Sequence, residues 1–321
     1  MTRSADTSLA GKVVTVLGGS GFFGHHLAQE LLASGARLRI ASRNPQRAFR
    51  IKPLGNLGQV QFARCDVARP ETLPAVLSGS DAVVNLVGSF AGDLDALQGY
   101  GAGRIAEAAR GAGAASFVHV SALGCDADSA VDYARTKAEG EEAVRKAFPK
   151  ATIIRPSILF GSDDDFVMMF ARLIATFPVL PVFGPEAKLQ PVFVDDVAAA
   201  IANVLADTKG LGGKTYEAAG PEVLTMLELN ERIAEAQGRR RIFVELPDAV
   251  SGAFATLTGW LPGAPITRDQ FELLKAGNVA SGKRPSLKAL GVAARPLGLF
   301  LDRWMVRFRK HGRFGEKSPA R

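Results

Sequence analysis

Gly18, Gly21 and Gly24 stand in the run GGSGFFG, between an apolar segment, VVTVL, and a stretch that begins a helical pattern. Glycines at this spacing in a strand-to-helix turn leave few folds open. The first permits a tight turn, the second lets backbone approach a pyrophosphate, and the third lets the helix pack close to its strand. The helix N-terminus then offers N–H donors to phosphate oxygens. A glycine-rich structural turn is the bland alternative. The strand before the run and the helix after it favour the phosphate loop of a dinucleotide site.

The chain around this loop alternates short apolar runs with helical patterns, as a parallel sheet with crossover helices requires. Strands are expected at 12–17, 37–42, 60–64, 82–86, 116–121 and 152–155, with helices at 22–33, 97–109 and 133–147. VVTVL and AVVNL are apolar at every position but one, which suits a sheet covered on both faces. After Pro156 the rhythm changes. Pro and Gly cluster at 177–185, and QPVFV leads to Asp195 and Asp196, either of which is a candidate N-cap for a helix to about 205. A helix at 227–236 and a strand at 241–246 follow, and from Pro247 the pattern is helical and irregular. There is no internal repeat. The expected fold is α/β: a Rossmann doubly wound parallel sheet with a smaller C-terminal α/β lobe on the substrate side. The boundaries read as 10–160 for the nucleotide domain, with some later segments returning to it, 161–310 for the lobe, and 311–321 for a basic tail.

Composition excludes some classes. With 47% apolar and 22% charged residues over 321 positions, the chain has the make-up of an ordinary globular protein. No run of about 18 apolar residues points to a membrane span, and residues 1–11 carry neither a signal-peptide core nor an Arg-rich, acid-free leader. A cytoplasmic location is the simplest reading. The two cysteines, Cys65 and Cys125, and the four histidines, His25, His26, His119 and His311, form no metal-ligand spacing. Neither a metal nor nucleic acid is expected.

Cofactor choice is read at the end of the second strand. An NAD-binding site usually has an acid there for the ribose hydroxyls; here Ser42, Arg43 and Asn44 follow, with Arg47 close behind. A carboxylate would repel a 2′-phosphate and arginines attract it, so NADP(H) is expected over NAD(H). Asp66, after the third strand, reads equally as an adenine contact or as a turn former. Phe22, Phe23, Val67, Leu86, Val87, Gly88 and Pro156 are expected to line the nucleotide.

Tyr133 and Lys137 are four residues apart in an expected helix, so phenol and ammonium share one face. In a reductase the phenol would exchange a proton with substrate, and a nearby cation would lower its ordinary pKa of about 10. Lys137 would also bond the nicotinamide ribose. Ser121, at the end of the fifth strand, is a candidate to polarise a carbonyl, or a serine satisfying its own backbone. Ser129 sits in a loop and is the weaker choice.

Taken together, these motifs resemble the atypical or extended short-chain dehydrogenase/reductase superfamily. Within it the chain is similar to the branch of NADPH-binding accessory subunits of respiratory complex I and their alphaproteobacterial relatives. The likeness runs through most of the chain, in GGSGFFG, HVSALG (119–124), YARTKAEGE (133–141), IIRPSILFG (153–161), QPVFVDDVA (190–198), ITRDQ (266–270) and LGV (290–292). It implies tightly held NADPH in a structural or assembly role, and docking near the quinone site where the peripheral and membrane arms meet. A free-standing oxidoreductase or epimerase/dehydratase stays open, using Tyr133 and Lys137 on a sugar-nucleotide, sterol-like or quinone-like substrate. So does a binding module that senses NADPH.

The charge is lopsided: seven basic residues against Asp302 and Glu316 put +5 of the net +7 into the last twenty positions. In 297–310, Leu297, Phe300, Leu301, Trp304, Met305 and Phe308 recur at helical spacing beside Arg303, Arg307, Arg309 and Lys310. A second stripe joins Val250, Phe254, Leu257, Trp260 and Leu261. Both stripes can pack on the protein's own lobe, but the basic surplus favours an anionic membrane or partner surface. The resulting expectation is peripheral attachment to the cytoplasmic face of the inner membrane.

Overall fold

The apolar runs of the first half become strands of a single parallel sheet. In the computed structural model, which describes residues 8–247, 251–252, 267–310 and 312, these are β1 (Val13–Leu17), β2 (Arg37–Ser42), β3 (Val60–Arg64), β4 (Ala82–Asn85), β5 (Ser116–Val120) and β6 (Thr152–Pro156). β11 (Thr215–Ala218) completes a seven-stranded sheet of order β11-β6-β5-β4-β1-β2-β3, with every neighbouring pair parallel. All residues of β4 and β5 are buried, as strands covered on both faces must be. The strand order reverses between β1 and β4, and parallel α/β sheets bind ligands beyond the strand ends at such a point.

Helices cover this sheet. α1 (Phe22–Ala33) buries Gly24, Leu27, Ala28, Leu31 and Leu32, the i, i+3, i+4 stripe of an amphipathic helix. It stops at Gly35, whose φ of +85° suits the chain reversal that bonds Ala36 N–H to the Leu31 carbonyl. The helix expected at 97–109 is instead two pieces, α3 (Leu94–Leu97) and α4 (Tyr100–Gly111). Gln98, the C-cap of α3, stands at the break beside Gly99. It is fully buried, donates to Thr136 Oγ1 at 2.9 Å and accepts from Ser89 N–H at 3.0 Å. α4 lies along α5 (Asp132–Ala147), and their approach depends on small residues: a Cβ on Gly140 would come within 2.0 Å of the Gln98 carbonyl oxygen. α2 (Leu73–Leu77) adds to a core around Leu17, Val83, Ile105, Phe117 and Val144. α7 (Val194–Ala206) begins one residue before Asp195. Asp195 and Asp196 are therefore first-turn residues that complement the helix dipole, rather than N-caps as the sequence suggested.

The chain divides into two units. The first comprises 1–156, 194–218 and 281–293; the second comprises 157–193, 219–280 and 294–321. The first unit ends at Pro156, four residues before the boundary read from the sequence. β6 runs through Pro156, and Ser157 Oγ already bonds Asn278 Oδ1 at 2.6 Å within the second unit.

Among its described residues the second unit holds three short strand pairs. β7 (Leu159–Phe160) runs parallel to β10 (Val192–Phe193), and β8 (Val179–Phe183) parallel to β13 (Ile242–Leu246). β9 (Lys188–Leu189) is antiparallel to β12 (Leu224–Thr225). Capping boxes start α8 (Met226–Ala236), through Thr225 and Glu228, and the helix Arg268–Ala276, through Thr267 and Gln270. α6 (Phe166–Thr176) is the remaining longer helix described in this unit.

The stripe at 297–310 turns inward. Leu297, Leu301 and Met305 are buried, Phe300 stacks on Phe193 and Trp304, and Arg309 donates to the Ala236 carbonyl at 3.1 Å. This corrects the expectation of an outward apolar face, because helical periodicity shows that a stripe exists but not what it packs against. The second stripe lies outside the described residues apart from Ser251 and Gly252, as does the tail apart from Gly312. No described helix is long and apolar enough to cross a membrane.

Candidate functional site

The three glycines occupy one edge of the first unit's sheet and are needed for different reasons. Gly18, just past β1, has φ +75° and sits where β1 meets β4, so a Cβ there would touch the Leu86–Val87 peptide at 3.1 Å. Gly24 faces the Gly19 backbone, which a Cβ would approach to 2.4 Å. Gly21 has an ordinary φ of −81°, and its nearest neighbour to a built Cβ is 3.8 Å away. The protein itself does not demand a glycine at position 21; the space in front of it suits a ligand's backbone approach. α1 has no side-chain cap and no acid in its first turn, so the N–H groups behind Phe22 and Phe23 suit a phosphate.

Parallel strands bring the other expected residues to the same edge. Ser42 ends β2, and Arg43 and Arg47 follow it. The Ser42 hydroxyl is buried with no hydrogen-bond partner among the described residues, and the two arginines are exposed. Asp66 and Val67 follow β3. Asp66 accepts from Ala68 N–H at 3.2 Å, a turn geometry that gives its turn-former reading a concrete basis. Leu86, Val87 and Gly88 follow β4, with Val87 N–H held by Asn85 Oδ1 at 3.0 Å. Ser121 follows β5, and Pro156 ends β6. A buried polar acceptor, an open cradle and an uncapped helix start together fit a dinucleotide.

Behind this edge lies a buried polar cluster. Lys137 is 3% exposed, and its Nζ donates to the Val87 and Val120 carbonyls at 3.3 Å each. Burial pushes its pKa down to about 8 against the pull of Glu141. Glu141, one helical turn further along α5, makes a two-pronged pair with Arg155 at 2.8 Å and 2.8 Å and accepts from Cys125 Sγ at 3.2 Å. Burial drives the Cys125 thiol up to about 12, so it stays protonated. The Ser121 hydroxyl lies against Glu141 and Cys125. Tyr133 is stacked under Phe90 at 4.2 Å and 15°, and burial raises its phenol to about 12. The sequence suggested that Lys137 would depress this phenol. In the structure the ammonium is tied to backbone carbonyls and desolvation dominates.

His119 completes the cluster. It is fully buried, and its Nδ1 faces Asn85 Nδ2 at 3.1 Å. Asn85 Oδ1 is already taken by Val87 N–H, so Asn85 must donate and Nδ1 must accept. The proton therefore sits on Nε2, which has no partner among the described residues. Burial, with Lys137 nearby, lowers the His119 pKa from 6.5 to about 3. The native ring is neutral while the unfolded ring titrates near 6.5, so its stabilising contribution is present above about 6.5 and lost as pH falls toward 3. We expect this group alone to account for on the order of 4 kcal/mol of acid lability. Urea midpoints measured from pH 7 to pH 4 should fall more gently in His119→Gln than in the native chain; parallel curves would contradict this assignment.

Sequence reasoning missed several of these residues. Arg50 lies in the 3₁₀ stretch Pro45–Leu54, which folds back so that its guanidinium donates to the Gly21 carbonyl at 3.3 Å. Asn85, His119, Glu141 and Arg155 were invisible as a cluster. The available signal was polar residues inside otherwise apolar strands, since such residues need partners. Among the described residues no group of acids, histidines and cysteines has the arrangement of a metal site.

Comparison with known proteins agrees with this geometry. Residues 18–208 match a family model described as NAD(P)H-binding. The chain is 31% identical to the mitochondrial NADH dehydrogenase (ubiquinone) 1 alpha subcomplex subunit 9 of Arabidopsis thaliana, over 98% of this chain and 83% of that protein. It is 30% identical to the ceramide reductase of Caulobacter vibrioides over 77% and 78% of the two chains. Among solved structures, the NADPH-dependent quinone oxidoreductase of Escherichia coli complexed with NADPH shares the fold, with a TM-score of 0.74 at 20% identity over 90% of this chain and 99% of that one. From phosphate loop to buried lysine, the chain belongs to the NAD(P)H-binding, short-chain dehydrogenase/reductase-like family and is a homologue of the complex I subunit.

Proposed function

We propose that this protein holds NADP(H) as a structural ligand and serves as an accessory or assembly subunit of a complex I-type NADH:quinone oxidoreductase, on the cytoplasmic face of the inner membrane. The observation that carries the structural role is the state of the Tyr–Lys pair. Lys137 is fastened between two strand-end carbonyls, and the Tyr133 ring is stacked against Phe90. A pair arranged in this way grips a ribose better than it shuttles protons at neutral pH. The near end-to-end likeness to subunit 9 supports the assembly role.

The residues divide the nucleotide between them. Gly18, Gly21, Phe22, Phe23 and Gly24 take the pyrophosphate at the start of α1. Ser42, Arg43 and Arg47, joined by Arg50, take the 2′-phosphate, which favours NADP(H) over NAD(H). Asp66 and Val67 flank the adenine. Leu86, Val87, Gly88 and Lys137 hold the nicotinamide ribose, with Ser121 and Pro156 beside the ring. Bound NADPH supplies a hydride donor; the chain's residues bind it, orient it and keep water from it.

A second reading is a free-standing NADP-dependent reductase. The intact Tyr133–Lys137 pair and the comparable match to ceramide reductase favour it, and a long-chain carbonyl substrate would suit that relative's name. Tyr133→Phe separates the two. On the structural reading, the variant binds NADPH within about threefold of the native protein, and neither oxidises NADPH with carbonyls or quinones. Native turnover that falls by about 10²-fold or more in the variant would establish the reductase instead.

A further inference from the structure

The first unit carries a second pocket, away from the nucleotide edge. It has a volume of about 390 Å³, and Glu141, Arg145, Arg155, Lys214, Thr215 and Arg284 line it. Lys214 and Thr215 stand at the start of β11, whereas the nucleotide residues follow the strands' carboxyl ends. Four cations meet one acid here, and that acid is already engaged, because Glu141 is gripped at both oxygens by Arg155. Arg145 donates to Thr215 Oγ1 and Lys214 to the Gly210 carbonyl. None of Arg145, Lys214 and Arg284 has a carboxylate within salt-bridge distance among the described residues. Counting also Glu217, whose charge acts on Arg155, two cations are left in surplus around one concavity, and like charges in excess repel one another.

We propose that this pocket binds a phosphate-bearing ligand, either a free phosphomonoester or the phosphodiester headgroup of an anionic lipid. Guanidinium forks match phosphate oxygens with two parallel N–H bonds, and a lysine adds a point charge. The volume exceeds that of inorganic phosphate alone and leaves room for the group that carries it. The ligand would also sit on the helix of the Tyr–Lys pair, since Tyr133, Lys137, Glu141 and Arg145 recur every fourth residue along one face of α5.

The test uses the full-length chain saturated with NADPH, so that added phosphate cannot report on the dinucleotide site. Inorganic phosphate and glycerol phosphate are titrated at constant ionic strength against chloride. Sedimentation with phosphatidylglycerol-containing vesicles is compared with pure phosphatidylcholine vesicles. The variants are Arg284→Glu and Lys214→Glu, both at exposed positions. Glycerol phosphate binding weakened at least tenfold in both variants, without vesicle binding, identifies a free phosphomonoester. Vesicle binding that needs phosphatidylglycerol and is lost in both variants identifies a lipid headgroup. Failure of every probe to bind the native chain, or binding equal in native and variant chains, overturns the proposal.

Discussion

Gly24→Val should destabilise the protein even without nucleotide, lowering Tm by on the order of 5–10 °C, a cost of about 3 kcal/mol or more. The added Cβ would fall 2.4 Å from the Gly19 backbone, and that backbone cannot rotate away as a side chain can. Either α1 lifts off the sheet or the phosphate loop deforms, and both disturb the Leu27, Leu31 and Leu32 contacts. Gly21→Val is the matched control, since its Cβ meets no atom closer than 3.8 Å. Its ligand-free Tm should fall by only about 2–4 °C, since the cost is that of a poorer N-cap residue, about 1 kcal/mol. Its thermal stabilisation by NADPH should vanish, whereas the native chain gains about 2.7 kcal/mol at a hundredfold excess over Kd. Thermal scans of both variants with and without NADPH check the pair. A Gly21→Val protein that still responds to NADPH would separate the glycine run from the pyrophosphate.

Glu141→Gln should cost about 3 kcal/mol, because breaking one side of a buried ion pair leaves an uncompensated charge. The carboxylate is 5% exposed. Burial works to raise its pKa, but Arg155, Ser121 and Cys125 together outweigh this and hold it below the usual range. The substitution also removes the anion that props up Lys137, whose pKa should then fall below about 8. Combining it with Arg155→Met should recover part of the loss, since with both charges removed no uncompensated buried charge remains. Urea denaturation of the two single variants and the double variant checks this. Additive losses in the double variant would mean that the two residues act independently.

What the sequence disclosed was whatever is written locally. The glycine spacing, the Tyr133–Lys137 repeat and the largely apolar β1 and β4 depend on neighbours within a few positions, and the parallel sheet carries them to one edge. Arg50 depends on the course of a ten-residue 3₁₀ stretch, for which no periodicity exists. The Glu141–Arg155 pair joins a helix to a strand 14 residues on. β11 escaped notice because it has four residues, one of them the buried Glu217 that accepts from Ser281 Oγ at 2.7 Å. At the break between α3 and α4, the Gln98 side chain is held by a hydrogen bond to Thr136, 38 residues away. The stripe at 297–310 was legible as a stripe, and its partner was not. Hydrophobic spacing says that a face is covered, while only the packed chain says by what.

We propose that this NAD(P)H-binding chain is a component of a membrane-bound respiratory complex. The most direct test is a tagged copy expressed in the native organism, with membranes gently solubilised and resolved on native gels. The account predicts that the tag migrates with the band of NADH:quinone oxidoreductase activity, and that about one NADPH per chain is released on denaturing that band. Recovery of the tag only as a free protein, with the activity band unchanged in its absence, would contradict the account and turn attention to the reductase.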